Sequence, residues 1–152
     1  MLRMNSYKTW LLLLLSSLLL SCSSSPKYTN DTQGIYCANP QRYAGQAVGS
    51  GHCVALIQTC SPAPHTKYWR PSIPVKGNVI SPGSIIATFK NGRYPNKSGY
   101  HAAIYISQNK QGIWVWDQWV GKPVHKRLIR FKGGKGSASN DGDRYKLVRF
   151  IR

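Results

Sequence analysis

Cys53 follows the glycines at 49 and 51 and opens an apolar run, Val54 to Ile57. A thiol in the first turn of a helix feels the partial positive end of the helix dipole, which favours thiolate, the nucleophilic form. A cysteine nucleophile also needs a base, and the base needs a group to orient it. His101 opens the stretch HAAIYIS, and Asp117 sits inside IWVWDQWV as the sole acid between Thr32 and Asn140. Burying that carboxylate in an aromatic strand costs several kcal/mol, roughly, unless a partner offsets it. The set Cys53, His101 and Asp117 therefore has the types for acyl transfer, with Gln118 as the alternative third member if the register differs by one. Singly, each residue also has an ordinary explanation: a packed cysteine, a solvated histidine, an aspartate paired with an arginine. Their order along the chain is what favours chemistry.

These residues need elements to carry them. Val54 to Cys60 reads as a short buried helix, with Ser50 as N-cap candidate and the Pro-rich stretch 61–64 ending it. His65 to Asn78 is crowded with prolines and aromatics and reads as irregular. Ser84 to Phe89, His101 to Ser107, Ile113 to Val120, Val124 to Phe131 and Tyr145 to Ile151 read as strands. The Asn109–Gly112 turn makes the second and third an antiparallel hairpin. Alternation puts His101, Ala103 and Tyr105 on one face of their strand, and Ile113, Val115, Asp117 and Trp119 on one face of the next. The expected fold is α+β, one early helix on about five mostly antiparallel strands.

Cysteine spacing constrains the redox state. Within a helix, Cys53 and Cys60 stand about 10 Å apart along the axis, too far for a disulfide. Cys37–Cys60 and Cys37–Cys53 are the remaining bridges, and only the first leaves Cys53 free for chemistry; it is the expected pairing. His52, Cys53, Cys60 and His65 lie near one another in sequence, but no C-x-x-C or matched His pair supports zinc, so no metal and no cofactor is expected.

The first 34 residues read separately. Arg3 and Lys8 precede the apolar block Trp10 to Leu20, a secretory signal over 1–21. Leu19-Leu20-Ser21-Cys22 resembles a lipobox, making Cys22 the expected lipidated N-terminus, with simple secretion as the alternative. Residues 22–34 read as a polar tether and 35–152 as one folded domain. The expected location is periplasmic, on an outer-membrane lipid anchor, which would be the chain's one membrane contact.

With 21 Lys+Arg against 4 Asp+Glu, the chain attracts anions. Export lowers nucleic acid as a partner and raises the anionic cell envelope. The absence of glutamate removes an HExxH zinc site, and the positions of Asp31, Asp117, Asp141 and Asp143 argue against a paired-carboxylate glycosidase.

From about Tyr43 to Val120 the chain resembles the NlpC-type, papain-like peptidoglycan peptidases. Their cysteine-bearing helix, "PGD" strand and "H-x-x-I-Y" strand look like GHCVALI, SPGSIIATF and YHAAIYI here, with Ser84 in place of the usual aspartate. VGSGHCVALIQ and HAAIYISQNKQGIWVWDQWVGKPV look closer still to type VI secretion amidase effectors and their domesticated relatives. The resemblance implies a papain-like fold and a cysteine amidase or endopeptidase cutting peptidoglycan stem peptides or crosslinks. Cys53, His101 and Asp117 are the expected catalytic residues. Candidate substrate contacts are Gln118, Trp119, Tyr43 and His52. Trp69, Trp114, Trp116 and Trp119 are read either as apolar walls or, more in keeping with their type, as packed core residues. Cys53 N–H is the expected oxyanion donor, with Tyr36, Tyr43 or Gln46 as a second. The competing reading is a non-catalytic basic envelope-binding lipoprotein. An immunity partner is left open.

Overall fold

β-branched and aromatic residues alternate through the second half of the chain, and a sheet is what such a pattern builds. A computed structural model describes residues 35–151. The expected signal at 1–21, the lipidation site Cys22 and the tether 22–34 lie outside the described residues. Six strands form one antiparallel sheet: β1 (Trp69–Pro74), β2 (Ile85–Thr88), β3 (Ala102–Gln108), β4 (Gly112–Trp119), β5 (Lys122–Arg130) and β6 (Tyr145–Phe150), in the order β1-β6-β2-β3-β4-β5. The helix α1 (Cys53–Cys60) packs across β3 and β4. The α+β class holds, with six strands among the described residues in place of about five.

The sixth is β1, within the segment expected to be irregular. Its prolines, Pro71 and Pro74, hid it, because proline removes a ladder donor and argues against a strand. The sheet accommodates them at its edge, where β1 has β6 on one side only and its pairing slips between Pro71 and Pro74.

Alternation divides the apolar residues between two faces. Leu56 and Ile57 of α1 bury against Ile85, Ala87, Ala102 and Ile104. On the other face Ile86, Ala103, Tyr105, Ile113, Val115, Ile129 and Leu147 form a second core, closed by Val75, Ile80 and Tyr145. Burying each such large side chain contributes about 1.5–3 kcal/mol, so the sheet is held firmly from both sides.

A disulfide joins Cys37 to Cys60 with Cα atoms 5.2 Å apart, and Cys53 is free. It ties the C-terminal end of α1 to the segment that precedes it. Cys37 is itself fixed to the sheet: its N–H donates to Gly83 O at 2.9 Å, and the Gly83 N–H donates to Tyr105 O at 2.8 Å. Gly83 has φ +87, and a Cβ there would stand 2.5 Å from Cys37 O, so a side chain would break this junction. The helix is thereby anchored at the end opposite Cys53.

With a sequence separation of 23 between the bridged positions, loop-closure entropy assigns the bridge about 3 kcal/mol. Cys37→Ser should lower urea-unfolding stability by about that amount and leave Cys53 accessible to thiol reagents; equilibrium unfolding with and without reductant measures it.

Candidate active site

The approach to Cys53 is built by backbone geometry. Gly49 and Gly51 have φ +55 and +78, in the left-handed region that glycine adopts without penalty. A Cβ on Gly49 would press on Ala55 Cβ at 3.0 Å, so the turn lies tight against α1. Ser50 falls inside this turn, and the N-cap is His52, whose side chain makes no capping hydrogen bond. The cap expected at Ser50 is displaced because the turn occupies that position.

What holds the turn is Gln118. It is fully buried; its Oε1 accepts from Val48 N at 3.0 Å, and its Nε2 donates to Val48 O and His52 O, each at 2.9 Å. This corrects the expectation that Gln118 contacts substrate or serves as the third member. Its amide is consumed in pinning the strand to the loop that presents Cys53.

His101 immediately precedes β3, and its backbone is clamped to Thr88: His101 N donates to Thr88 Oγ1 at 3.0 Å and Thr88 N donates to His101 O at 3.0 Å. Its ring Nε2 bonds Asp117 Oδ1. Asp117 is fully buried, and its Oδ2 accepts from Arg127 Nε at 2.7 Å, with Arg127 Nη2 at 2.6 Å. With Nε2 taken, Nδ1 is the ring nitrogen left for the thiol.

The Cys53 thiol interacts with the His101 side chain, the Tyr94 hydroxyl at 3.5 Å and the Ala102 backbone N–H. Burial pushes the thiol up, but the hydrogen bond and charge of His101, then the Tyr94 and Ala102 donors, outweigh it and hold Cys53 below its ordinary value. Burial pushes the His101 imidazole down; the Asp117 hydrogen bond, then the thiol and the two negative charges, reverse this and raise it to about 9. Burial, then the neighbouring thiolate, push the Tyr94 hydroxyl far up, so it remains a donor at neutral pH. A lowered thiol beside a raised imidazole is the electrostatic pattern of a thiolate–imidazolium pair.

These groups line a cleft of about 660 Å³, together with His52, Trp119, Arg127 and Asn140. Lys97 lines it as well, and among the described residues no carboxylate side chain faces the opening. Of the expected substrate contacts, His52 and Trp119 are on this wall. Tyr43 is not: it packs against the core under α1, with Arg42 over its ring. Trp69 is fully buried and donates from Nε1 to Pro64 O at 2.9 Å, so it is a core residue and not a cleft wall. Trp116 packs on the same core, and Trp114 lies beneath Lys126. Of the expected second oxyanion donors, neither Gln46, which donates to Arg42 O, nor Tyr36, whose backbone bridges to Ser84, lines the cleft. Cys60 is in the disulfide, so the zinc set containing it has lost a thiolate.

Sequence reasoning missed Tyr94 and Arg127. Tyr94 is on the 89–101 loop, where no periodicity marks it. Arg127 was one of many basic residues; its position on the strand beside Asp117 was its signal.

The fold and site define an α+β domain with a thiol, an imidazole and a buried carboxylate gathered where its helix begins. Residues 27–148 match the family described as Domesticated amidase effector 2, a match that starts within the expected tether. A Salmonella typhi protein named "Type VI secretion amidase effector 2 protein" is 47% identical over 104 residues, covering 64% of this chain and 77% of that protein. The "Domesticated amidase effector 2" of Ixodes scapularis is 38% identical over 123 residues, covering 75% of this chain and 84% of the relative. A solved structure titled "Type 6 secretion amidase effector 2 (Tae2)" superposes with a TM-score of 0.67 at 36% identity, over 77% of this chain and 95% of the other. The chain belongs to the Domesticated amidase effector 2 family.

The raised His101 gives stability a pH signature. A group held protonated to about 9 in the fold, against an ordinary 6.5, contributes in full below about pH 6.5 and loses the contribution as pH rises through about 9. Cys53, held below its ordinary value, contributes with the opposite sign over much of this range. Urea unfolding should therefore show Cys53→Ala losing stability above about pH 6.5 more steeply than wild type, while Cys53→Ala/Asp117→Asn shows a flatter profile than Cys53→Ala.

Proposed function

We propose that this chain is an exported cysteine amidase that hydrolyses peptide bonds in bacterial peptidoglycan, stem peptides or crosslinks, with Cys53 as nucleophile. The observation that carries the reading is a free thiol at the start of α1, held below its ordinary value beside an imidazole raised by a buried carboxylate. Membership in an amidase effector family supplies the reaction class.

In this mechanism the His101 imidazole takes the Cys53 proton and the thiolate attacks the amide carbon. The tetrahedral intermediate collapses to a thioester as the imidazolium protonates the leaving amine. Water, deprotonated by the same imidazole, then cleaves the thioester and releases the acid. Asp117 fixes the ring so that its other nitrogen faces the thiol. The Cys53 N–H heads α1, among the N–H groups that have no acceptor within the helix, and is the first oxyanion donor. The Tyr94 hydroxyl, a donor within reach of sulfur, is suited to be the second.

The surroundings suit a charged peptide polymer. A second depression of about 420 Å³ shares His52, Val54 and Asn96 with the main cleft, so open surface continues past Cys53 and accommodates an extended chain. Stem peptides carry carboxylates, and the cleft presents Lys97, Arg127 and imidazoles. Trp119, 40% exposed, offers an apolar platform beside His101. The pattern of residues 1–34 supports export with Cys22 as lipid anchor, placing the enzyme where the wall is.

Purified sacculi incubated with the protein should release peptides identifiable by mass spectrometry. Cys53→Ala should bring release to background while remaining folded, and His101→Ala should do the same at a cost in stability, because it leaves Asp117 Oδ1 without its partner. Asp117→Asn should retain a rate reduced by roughly tenfold to a thousandfold. Full release by folded Cys53→Ala contradicts the assignment.

A further inference from the structure

Asp117 has two oxygens and two partners. Oδ1 meets His101, and Oδ2 is gripped by Arg127 through Nε at 2.7 Å and Nη2 at 2.6 Å. The strand register does not by itself deliver this grip. Opposite Asp117 on β5 stands His125, while Arg127 stands opposite Val115. His125 turns away: its Nδ1 lies 2.9 Å from Pro123 O, and its ring packs edge-on against Trp119 at 5.0 Å. Arg127 instead leans diagonally along the same face to reach the carboxylate.

The rest of its fork is used too. Nη1 donates to Asn140 Oδ1 at 3.0 Å, and the guanidinium lies 5.2 Å from the Trp119 ring centroid. The Arg127 side chain is only 19% exposed, unlike a solvated basic residue on a highly charged surface. One planar cation thus joins the buried carboxylate to the cleft wall.

We infer that Arg127 is a positioning residue of the site, holding the Asp117 carboxylate so that one oxygen faces His101 and offsetting its charge. The inference rests on the catalytic reading above. Geometrically, a carboxylate held at one oxygen by a guanidinium fork cannot rotate away from the imidazole. Electrostatically, a fixed cation beyond Asp117 weakens the carboxylate's hold on the imidazolium proton, which must later pass to the leaving amine. The titratable groups around this core are Cys53 of α1, Tyr94 of the loop, His101, His125 and Tyr145 of β6, and the cation Lys97 lies across the cleft. A lysine would keep the charge but carry one nitrogen, losing the fork.

The test combines NMR titration of the His101 ring in the purified protein with steady-state kinetics on sacculus-derived peptides. Arg127→Gln should raise the pH at which His101 releases its proton by about one unit. The same change should lower kcat by about tenfold or more with KM within about twofold. Arg127→Lys should restore the titration and only part of kcat. A His101 titration untouched by Arg127→Gln, or a loss confined to KM, overturns the inference. If Arg127→Gln does not fold, Asp117→Asn/Arg127→Gln decides, because it leaves no buried carboxylate unpaired. Its rate should match Asp117→Asn alone, and a further tenfold loss, roughly, overturns the inference. The titration needs no wall substrate, so a failure of the amidase reading leaves it interpretable.

Discussion

The contact between His101 and the buried Asp117 is the constraint around which the site is arranged. An aspartate with no exposed surface is tolerated only where both oxygens are satisfied. Here the partners come from the start of β3 and from β5. The pairing spans three neighbouring strands, so their antiparallel register must hold for the carboxylate to be stable at all. The same register aims the imidazole. Packing on both faces of the sheet keeps that register rigid, with the α1 core on one side and the Ile86–Val115–Leu147 core on the other.

The thiol comes from a different layer. By alternation His101 and Asp117 belong to the face of Ala103 and Val115, whereas α1 covers the opposite face. The two sets meet at the start of β3, where the strand no longer separates them and the Ala102 N–H reaches the sulfur. Two ties bring α1 to this point. The disulfide fixes its far end, and Gln118, one residue after Asp117, holds the Val48–His52 turn from within β4. Adjacent residues on one strand therefore orient the imidazole and fix the approach to the Cys53 thiol.

Much of this was legible in the sequence because it depends on period and spacing. Alternation assigned His101 and Asp117 each to a face of its own strand and the hairpin made them candidate neighbours, and the cysteine spacing left Cys53 outside any bridge with Cys60. What escaped has physical reasons. β1 carries prolines that argue against a strand unless its edge position is known. Gln118 looked like a site residue because it adjoins Asp117, but its opposite parity turns it towards the Cys53 loop. Tyr94 arrives from a loop, whose path no periodic signal encodes. Arg127 is one basic residue among 21, and the register puts it opposite Val115, so only its diagonal reach to Asp117 singles it out.

The central claim is that His101, braced by Asp117, keeps the Cys53 thiol ionised. The most direct measurement is the rate of Cys53 alkylation by iodoacetamide as a function of pH, in wild type and in His101→Ala. The account predicts rapid alkylation of wild type well below the ordinary thiol range of about 8.5, and a shift up towards that range when His101 is removed. Two coincident profiles, both rising near about 8.5 as an isolated thiol does, would contradict it.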